Sequence, residues 1–148
     1  MSLTDQLTEA MKAAMKAKDS LRLNAIRLIR TAVKNREIEA REALDDQQVI
    51  GVLSSLVKQR RESAQVYRDN GREELAVKEE AELAVIQEFL PAQLDETELR
   101  AIIDAAVEET GAATMKDMGK VMKIVTARTT GRADGRMVSE LVKARLSA

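Results

Sequence analysis

A single proline, Pro91, interrupts a chain of 148 residues in which nearly every other stretch carries helical periodicity. That combination leaves room for little except helices packed on helices. Proline lacks the amide donor and disfavours helix in the residue before it, so a helical stretch must end at Leu90. The segment Leu90-Pro91-Ala92-Gln93-Leu94 is therefore the natural domain boundary. Ala, Glu, Lys, Leu and Arg are abundant and glycine occurs only six times, a balance that favours long helices with few turns. No segment alternates like a strand, and there is no internal repeat or low-complexity run. The expected fold class is all-α, with an N-terminal four-helix subdomain over residues 1–90 and a small three-helix tail domain over 95–148.

Capping residues and apolar stripes place the helices. Ser2 with Asp5 has the form of a capping box ahead of Leu3, Leu7, Met11, Ala14 and Met15. Asp19 is placed to cap a second helix with the stripe Leu21, Ala25, Leu28, Ile29, Ala32 and Val33. At about 100° per residue, Arg27, Arg30, Lys34 and Arg41 fall within about 60° of one another on its opposite side. Asp45 and Gln48 start a third helix, which turns Ile50, Leu53, Leu56, Val57, Ala64 and Tyr67 inward and stops at Asn70-Gly71. A fourth runs from Arg72 to Leu90 with Leu75, Leu83, Ile86, Phe89 and Leu90. Asp95 and Glu98 open a fifth through Leu99, Ile102, Ile103, Ala106 and Val107, closed by Gly111. Thr114 and Asp117 open a sixth through Met118, Val121, Met122 and Val125, and Asp134 begins the last, with Met137, Val138, Leu141, Val142 and Leu146. With Tyr67 and Phe89 the only aromatics, the core has to be built from Leu, Ile, Val, Ala and Met.

Cysteine and histidine are both absent, which removes disulfides, the thiolate nucleophile, the usual general base and the usual zinc ligands together. The glutamates of the fourth helix (Glu73, Glu74, Glu79, Glu80, Glu82, Glu88) suggest a two-metal bundle, but such sites use Glu-x-x-His motifs and there is no histidine to complete one. They read as a solvated face, and no catalytic residue, metal site or cofactor is expected. No apolar run reaches the ~20 residues of a membrane span, and Met1-Ser2-Leu3-Thr4-Asp5 lacks a basic segment followed by an apolar one. The expectation is a soluble cytoplasmic protein with no membrane partner.

A net charge of −1 conceals strong zoning. Residues 73–109 hold twelve acids against Lys78 and Arg100, while residues 22–41 hold six basic residues against Glu37 and Glu39. From Thr114 onward, Lys116, Lys120, Lys123, Arg128, Arg132, Arg136, Lys143 and Arg145 oppose only Asp117, Asp134 and Glu140. Lys and Arg that neutralise phosphates supply most sequence-independent affinity for nucleic acid, whereas the same residues in another setting form a solvated face. Gly119 lies within this zone, and a glycine inside a helix costs about 1 kcal/mol relative to alanine. Close helix packing would account for it, and so would close approach of a nucleic-acid backbone beside Lys120 and Lys123.

The run Lys116-Asp117-Met118-Gly119-Lys120-Val121-Met122-Lys123, followed by Gly131-Arg132-Ala133-Asp134-Gly135-Arg136-Met137-Val138-Ser139, strongly resembles the YqeY-like proteins. Those share this domain with the C-terminal tail of the B subunit of the aspartyl/glutamyl-tRNA amidotransferase. Gly119, Met122-Lys123, Gly131, Ala133 and Asp134 match the tail, while the connection Ile124 to Thr130 is longer and Asp134-Gly135 stands where the tail often has Asn-Pro. Lys58-Gln59-Arg60-Arg61-Glu62-Ser63, continuing to Tyr67, is also typical of the group and extends the resemblance to nearly the whole chain.

The resemblance implies contact with tRNA through Gly119, Lys120, Lys123, Arg128, Gly131, Arg132 and Arg136. Arg27, Arg30, Lys34 and Arg60 would form a secondary basic ridge. For Arg60 the other reading is a pair with the acidic fourth helix, and for Tyr67 a buried ring with a wet hydroxyl. With so few aromatics, base stacking cannot be the main mode, so recognition would rest on RNA shape and backbone. The implied partners are tRNA and the amidotransferase or aminoacyl-tRNA machinery, with no DNA partner.

The family also carries an activity label, carbon–nitrogen ligation with glutamine as amido-N-donor. Releasing ammonia from glutamine needs an activated nucleophile, and activating a tRNA-borne carboxylate needs a nucleotide site. This sequence has no cysteine, no glycine-rich phosphate loop and no glycine-serine-rich amidase segment. The expected function is therefore a non-catalytic, tRNA-associated accessory module. The alternatives are a helical protein–protein adaptor without RNA binding and, with less support, an amidotransferase-like enzyme.

Overall fold

The computed structural model describes residues 1–147 and is all-α. Among them are seven α-helices, α1 (Leu3–Ala17), α2 (Ser20–Ala40), α3 (Asp46–Asp69), α4 (Glu73–Gln87), α5 (Glu96–Thr110), α6 (Met118–Thr129) and α7 (Gly135–Ser147). A 3-10 turn, Met115–Asp117, leads into α6. Two compact units result, one from Met1 to Leu90 and one from Pro91 onward.

Helix starts follow local chemistry. Ser2 with Asp5 closes a capping box at α1, and Asp45 with Gln48 closes another at α3. The side chains of Asp19 and Asp95 accept from the amides of Arg22 and Glu98 at the starts of α2 and α5. Each satisfies an amide that has no partner within its own helix, an arrangement typically contributing about 1 kcal/mol. Helix α4 ends at Gln87, three residues before the predicted Leu90. The amides of Glu88, Phe89 and Leu90 bond to Val85, Ile86 and Gln87 at 3.1–3.2 Å, so the helix tightens into i→i−3 bonds ahead of Pro91.

In the first unit α3 and α4 run antiparallel, as their ion pairs show. Arg60 Nη1 lies 3.0 Å from Glu79 and 3.1 Å from Glu82, and Arg68 pairs with Glu73 and Glu80. Ile29, Val33, Val49, Leu53 and Ile86 join Leu3 and Leu7 in one core. Ala14, Ala25, Ile26 and Val85 form a second cluster beside it. Burying a Leu, Ile or Val side chain contributes roughly 1.5–3 kcal/mol. At the end of α4, Arg22 pairs with Glu88 and lies over the Phe89 ring, 5.9 Å from its centroid.

Predicted stripes shift on α1 and α2, and on α7 Met137 is exposed. On α1, Leu3, Leu7 and Ala14 are buried while Met15 is 52% exposed. Steps of four residues drift by about 40° each, so Met15 has rotated about 120° from Leu3, whereas Ala14 lies within about 20° of it. On α2, Leu21 and Leu28 are exposed and Ile26, absent from the predicted stripe, is fully buried. Helix α2 packs against α1, α3 and α4 together, which turns inward the side that carries Ile26. No methionine is buried; the core is Leu, Ile, Val and Ala.

The second unit packs α5, α6 and α7 around Leu99, Ile103, Val107, Val121, Val125, Val138, Val142 and Leu146. Its first residues are tied in. The Leu94 amide donates to the Arg132 carbonyl at 2.8 Å, and Gln93 Nε2 donates to the Gly131 carbonyl at 2.9 Å. Gly131 is buried with φ 78°, a left-handed conformation that glycine adopts without Cβ strain. Residues 91–94 thus belong structurally with the tail, ahead of the boundary expected at residue 95.

Candidate nucleic-acid interface

The start of α6 is built by Thr114 and Asp117. Thr114 Oγ1 accepts from the Lys116 amide at 3.3 Å, while Asp117 Oδ2 accepts from the amides of Ala113 and Thr114 at 3.0 and 3.3 Å. These amide bonds, Ala113 first and Thr114 second, hold the Asp117 carboxyl below its ordinary range, and the nearby Lys120 charge adds to the effect. The turn over Met115–Asp117 is 3-10, and α6 proper begins at Met118. Gly119 therefore sits in a first helical turn, not in a helix interior.

Val121 and Val125 are buried, which directs Gly119, Lys120, Lys123, Thr126 and Ala127 outward along one exposed side of α6. A Cβ added at Gly119 would meet nothing within 4 Å. Close helix packing is thus not why a glycine stands there. Small residues beside two lysines make a smooth cationic strip, to which the exposed Lys116 adds a third charge one turn earlier. Among the described residues none of these lysines lies within ion-pair distance of a carboxylate, and only Lys120 has one near enough, Asp117, for its charge to be felt.

Several other predicted contacts already have partners within the second unit. Arg128 Nη2 makes a bidentate pair with Glu109 of α5 at 2.8 and 3.0 Å. Arg132 is half-buried, its Nε 3.4 Å from the Ala92 carbonyl and its own carbonyl held by Leu94. Gly131 forms the buried turn. Arg136 is exposed at the start of α7, where its amide bonds to Asp134 at 3.0 Å. Arg145, part of the basic count, bonds to Asp104 at 2.9 Å. The structure thus brings together Gly119, Lys120 and Lys123, leaves Arg136 exposed, pairs the exposed Arg128 with Glu109, and gives Gly131 and Arg132 structural roles. Lys116, outside the predicted contact set, was recoverable from its place one turn before Lys120.

In the first unit Arg27, Arg30 and Lys34 are exposed on α2, whereas Arg60 is not part of that ridge. It is held between Glu79 and Glu82, the latter buried, because α4 packs along that side of α3. Tyr67 is half-buried and lines a shallow open depression of about 490 Å³ with Gln59, Glu62, Ser63 and Val66. All five residues belong to α3, so this is one helix's outer surface and encloses no ligand. Among the described residues there is no group of three or more potential metal-ligating side chains, and no helix is long and apolar enough to cross a membrane.

Fold and site define an all-helical protein of two compact units with a lysine-lined face on the second. The family model described as Yqey-like protein matches residues 4–146, and the chain belongs to that family, which is related to the C-terminal tail of the amidotransferase B subunit. Similar curated proteins bear the name "Altered inheritance of mitochondria protein 41, mitochondrial". The one from Vanderwaltozyma polyspora is 37% identical over 120 residues, covering 76% of this chain and 64% of that protein. The one from Eremothecium gossypii is 38% identical over 106 residues, covering 70% and 58%, and one from Saccharomyces cerevisiae is 30% identical over 108 residues, covering 68% and 58%.

The chain thus spans about three-fifths of the length of these relatives. Their names correct the cytoplasmic expectation, since they place those proteins in mitochondria. The physical reason is that the expectation rested on residues 1–5 and on missing apolar runs, and neither feature determines a compartment.

Proposed function

We propose that this protein is a non-catalytic RNA-holding module whose second unit presents the outer side of α6 to the phosphates of a structured RNA, with tRNA as the RNA implied by kinship with the amidotransferase tail. The observation that carries the reading is the strip of Lys120 and Lys123, neither within ion-pair distance of a carboxylate among the described residues, beside an open Gly119. A backbone phosphate approaches such a strip without a side chain in its way, and each lysine it meets releases counterions. Lys116 and Arg136 extend the contact. Holding tRNA requires no nucleophile, in keeping with a chain that has neither cysteine nor histidine.

Filter binding of tRNA across a salt series tests this. The Lys120→Ala, Lys123→Ala double variant should fold, bind more weakly whatever the tRNA, and show a salt slope shallower by about one to two units, since each phosphate contact contributes roughly 0.7–0.9. Wild-type protein that retains no tRNA at low salt would overturn the reading in favour of a protein–protein adaptor. So would a double variant that binds as wild type with the same slope.

A further inference from the structure

Helix α2 carries a second cationic surface that lies apart from the tail strip in sequence and belongs to the other unit. Arg27, Arg30, Lys34 and Arg41 are all exposed and, among the described residues, none lies within ion-pair distance of a carboxylate. The acids of the same helix are committed elsewhere: Glu37 Oε2 accepts from the Leu44 amide at 3.1 Å, and Glu39 lies 4.0 Å from Arg36. Arg30 is steadied by α1, where its Nη1 lies 2.9 Å from Met11 Sδ. Like charges three and four residues apart disfavour a helix, so the row is held together by the packing of Ala25, Ile26, Ile29 and Val33 on the other side.

From these positions we infer that α2 is a phosphate-tracking surface for the backbone of RNA. The inference rests on the reading above only for the identity of the polymer. Along the axis Arg27, Arg30 and Lys34 are spaced by about 4.5 and 6 Å, and Arg41 follows just past the helix end, in a left-handed conformation that takes it out of the row. That is a repeat of positive charge matched to a polymer with repeated negative charge.

The neighbouring row decides the kind of partner. Next to the cations stand the exposed Asn24, Thr31 and Asn35, which donate hydrogen bonds to phosphate and sugar oxygens. Leu21 and Leu28 lie beyond them, at the far edge of the exposed face, while the exposed Ile38 stands one turn after Lys34, between the cations and this polar row. A helix that docks on a lipid surface or in an apolar groove sets its apolar stripe directly against its basic flank. Here a polar Asn-Thr-Asn row, interrupted only by Ile38, takes that place.

The test compares four full-length proteins by filter binding of tRNA over a salt series: wild type, the tail double variant, the triple variant Arg27→Gln, Arg30→Gln, Lys34→Gln, and the two sets combined. The triple variant should bind more weakly and lose about two to three units of salt slope, at roughly 0.7–0.9 per contact, with the losses adding in the combined protein. Exchanging the charges conservatively (Arg27→Lys, Arg30→Lys, Lys34→Arg) should restore the slope, which separates charge from folding. Circular dichroism should show every variant helical.

A triple variant with wild-type affinity and slope overturns this inference while leaving the tail reading intact. If the tail variant is silent and the triple variant is not, the tail reading falls and α2 stands. Wild-type protein that ignores tRNA but is retained on anionic phosphatidylserine vesicles overturns both.

Discussion

The amide of Leu94 donates to the carbonyl of Arg132, 38 residues further along the chain, at 2.8 Å. Leu94 lies in no helix, and an amide in an ordinary linker exchanges with solvent almost freely. Here it should be protected to the same extent as the amides of α6, because breaking the bond requires opening the turn around Gly131. Hydrogen exchange followed by NMR checks this, and rapid exchange at Leu94 would show that the tie does not persist in solution. A second unit cut out for separate study should accordingly begin no later than Pro91. Starting at residue 95 removes Leu94 and Gln93, the partners of two backbone carbonyls.

Arg60 tests the line between a structural and a binding cation. Its removal leaves Glu79 and the buried Glu82 facing each other without a counter-charge. Arg60→Ala should cost about 2–3 kcal/mol in urea unfolding, while the salt slope for any RNA bound by the folded protein stays unchanged. A stable variant with a reduced slope would return Arg60 to the basic ridge.

Gly119 offers a stabilising substitution. Nothing obstructs a Cβ there, so Gly119→Ala should leave the fold intact and raise stability by up to about 1 kcal/mol. Thermal unfolding measures this, and a destabilised variant would point to a conformational demand at the start of α6. A bulkier Gly119→Leu should still fold but obstruct the cationic strip, weakening RNA binding with little change in salt slope.

Asp117 sets an acid limit. Its pKa is lower in the folded protein than the ordinary value of 3.8, so the stability it contributes is fully present above that value and is lost as the pH falls through the depressed one. Asp117→Asn should be less stable than wild type at neutral pH, and the gap should close as the solution is acidified below the ordinary carboxylate range. Urea titrations at a series of pH values read this directly. A gap that stays constant with pH would mean that the charge of Asp117 has no part in capping.

What the sequence discloses here is mostly local. Ser2 with Asp5, Asp45 with Gln48, and Asp95 are readable because a cap and the amide it serves lie within three residues of each other. Met15 falls outside because a row of fourth residues drifts around the helix, and Ile26 is not legible because only the arrangement of three neighbouring helices decides which side of α2 is inside. For the interface, Lys120 and Lys123 were legible as neighbours on a helix face. That Arg128 pairs with Glu109 and Arg145 with Asp104 at the surface, and that Arg60 is enclosed by two glutamates, depends on helix pairing, so a count of basic residues along the chain overstates the charge that stands without a partner.

Tyr67, half-buried on α3, has a practical meaning for following this protein in solution. It is the only tyrosine, Phe89 is the only other aromatic, and there is no tryptophan. All ultraviolet fluorescence of use therefore originates in the first unit, and the second contributes none. Helical circular dichroism, by contrast, registers both. Unfolding curves from the two signals coincide if the units melt as one cooperative body and separate if they do not, so the natural sequence already contains a reporter of how far the stabilities of its two halves are linked.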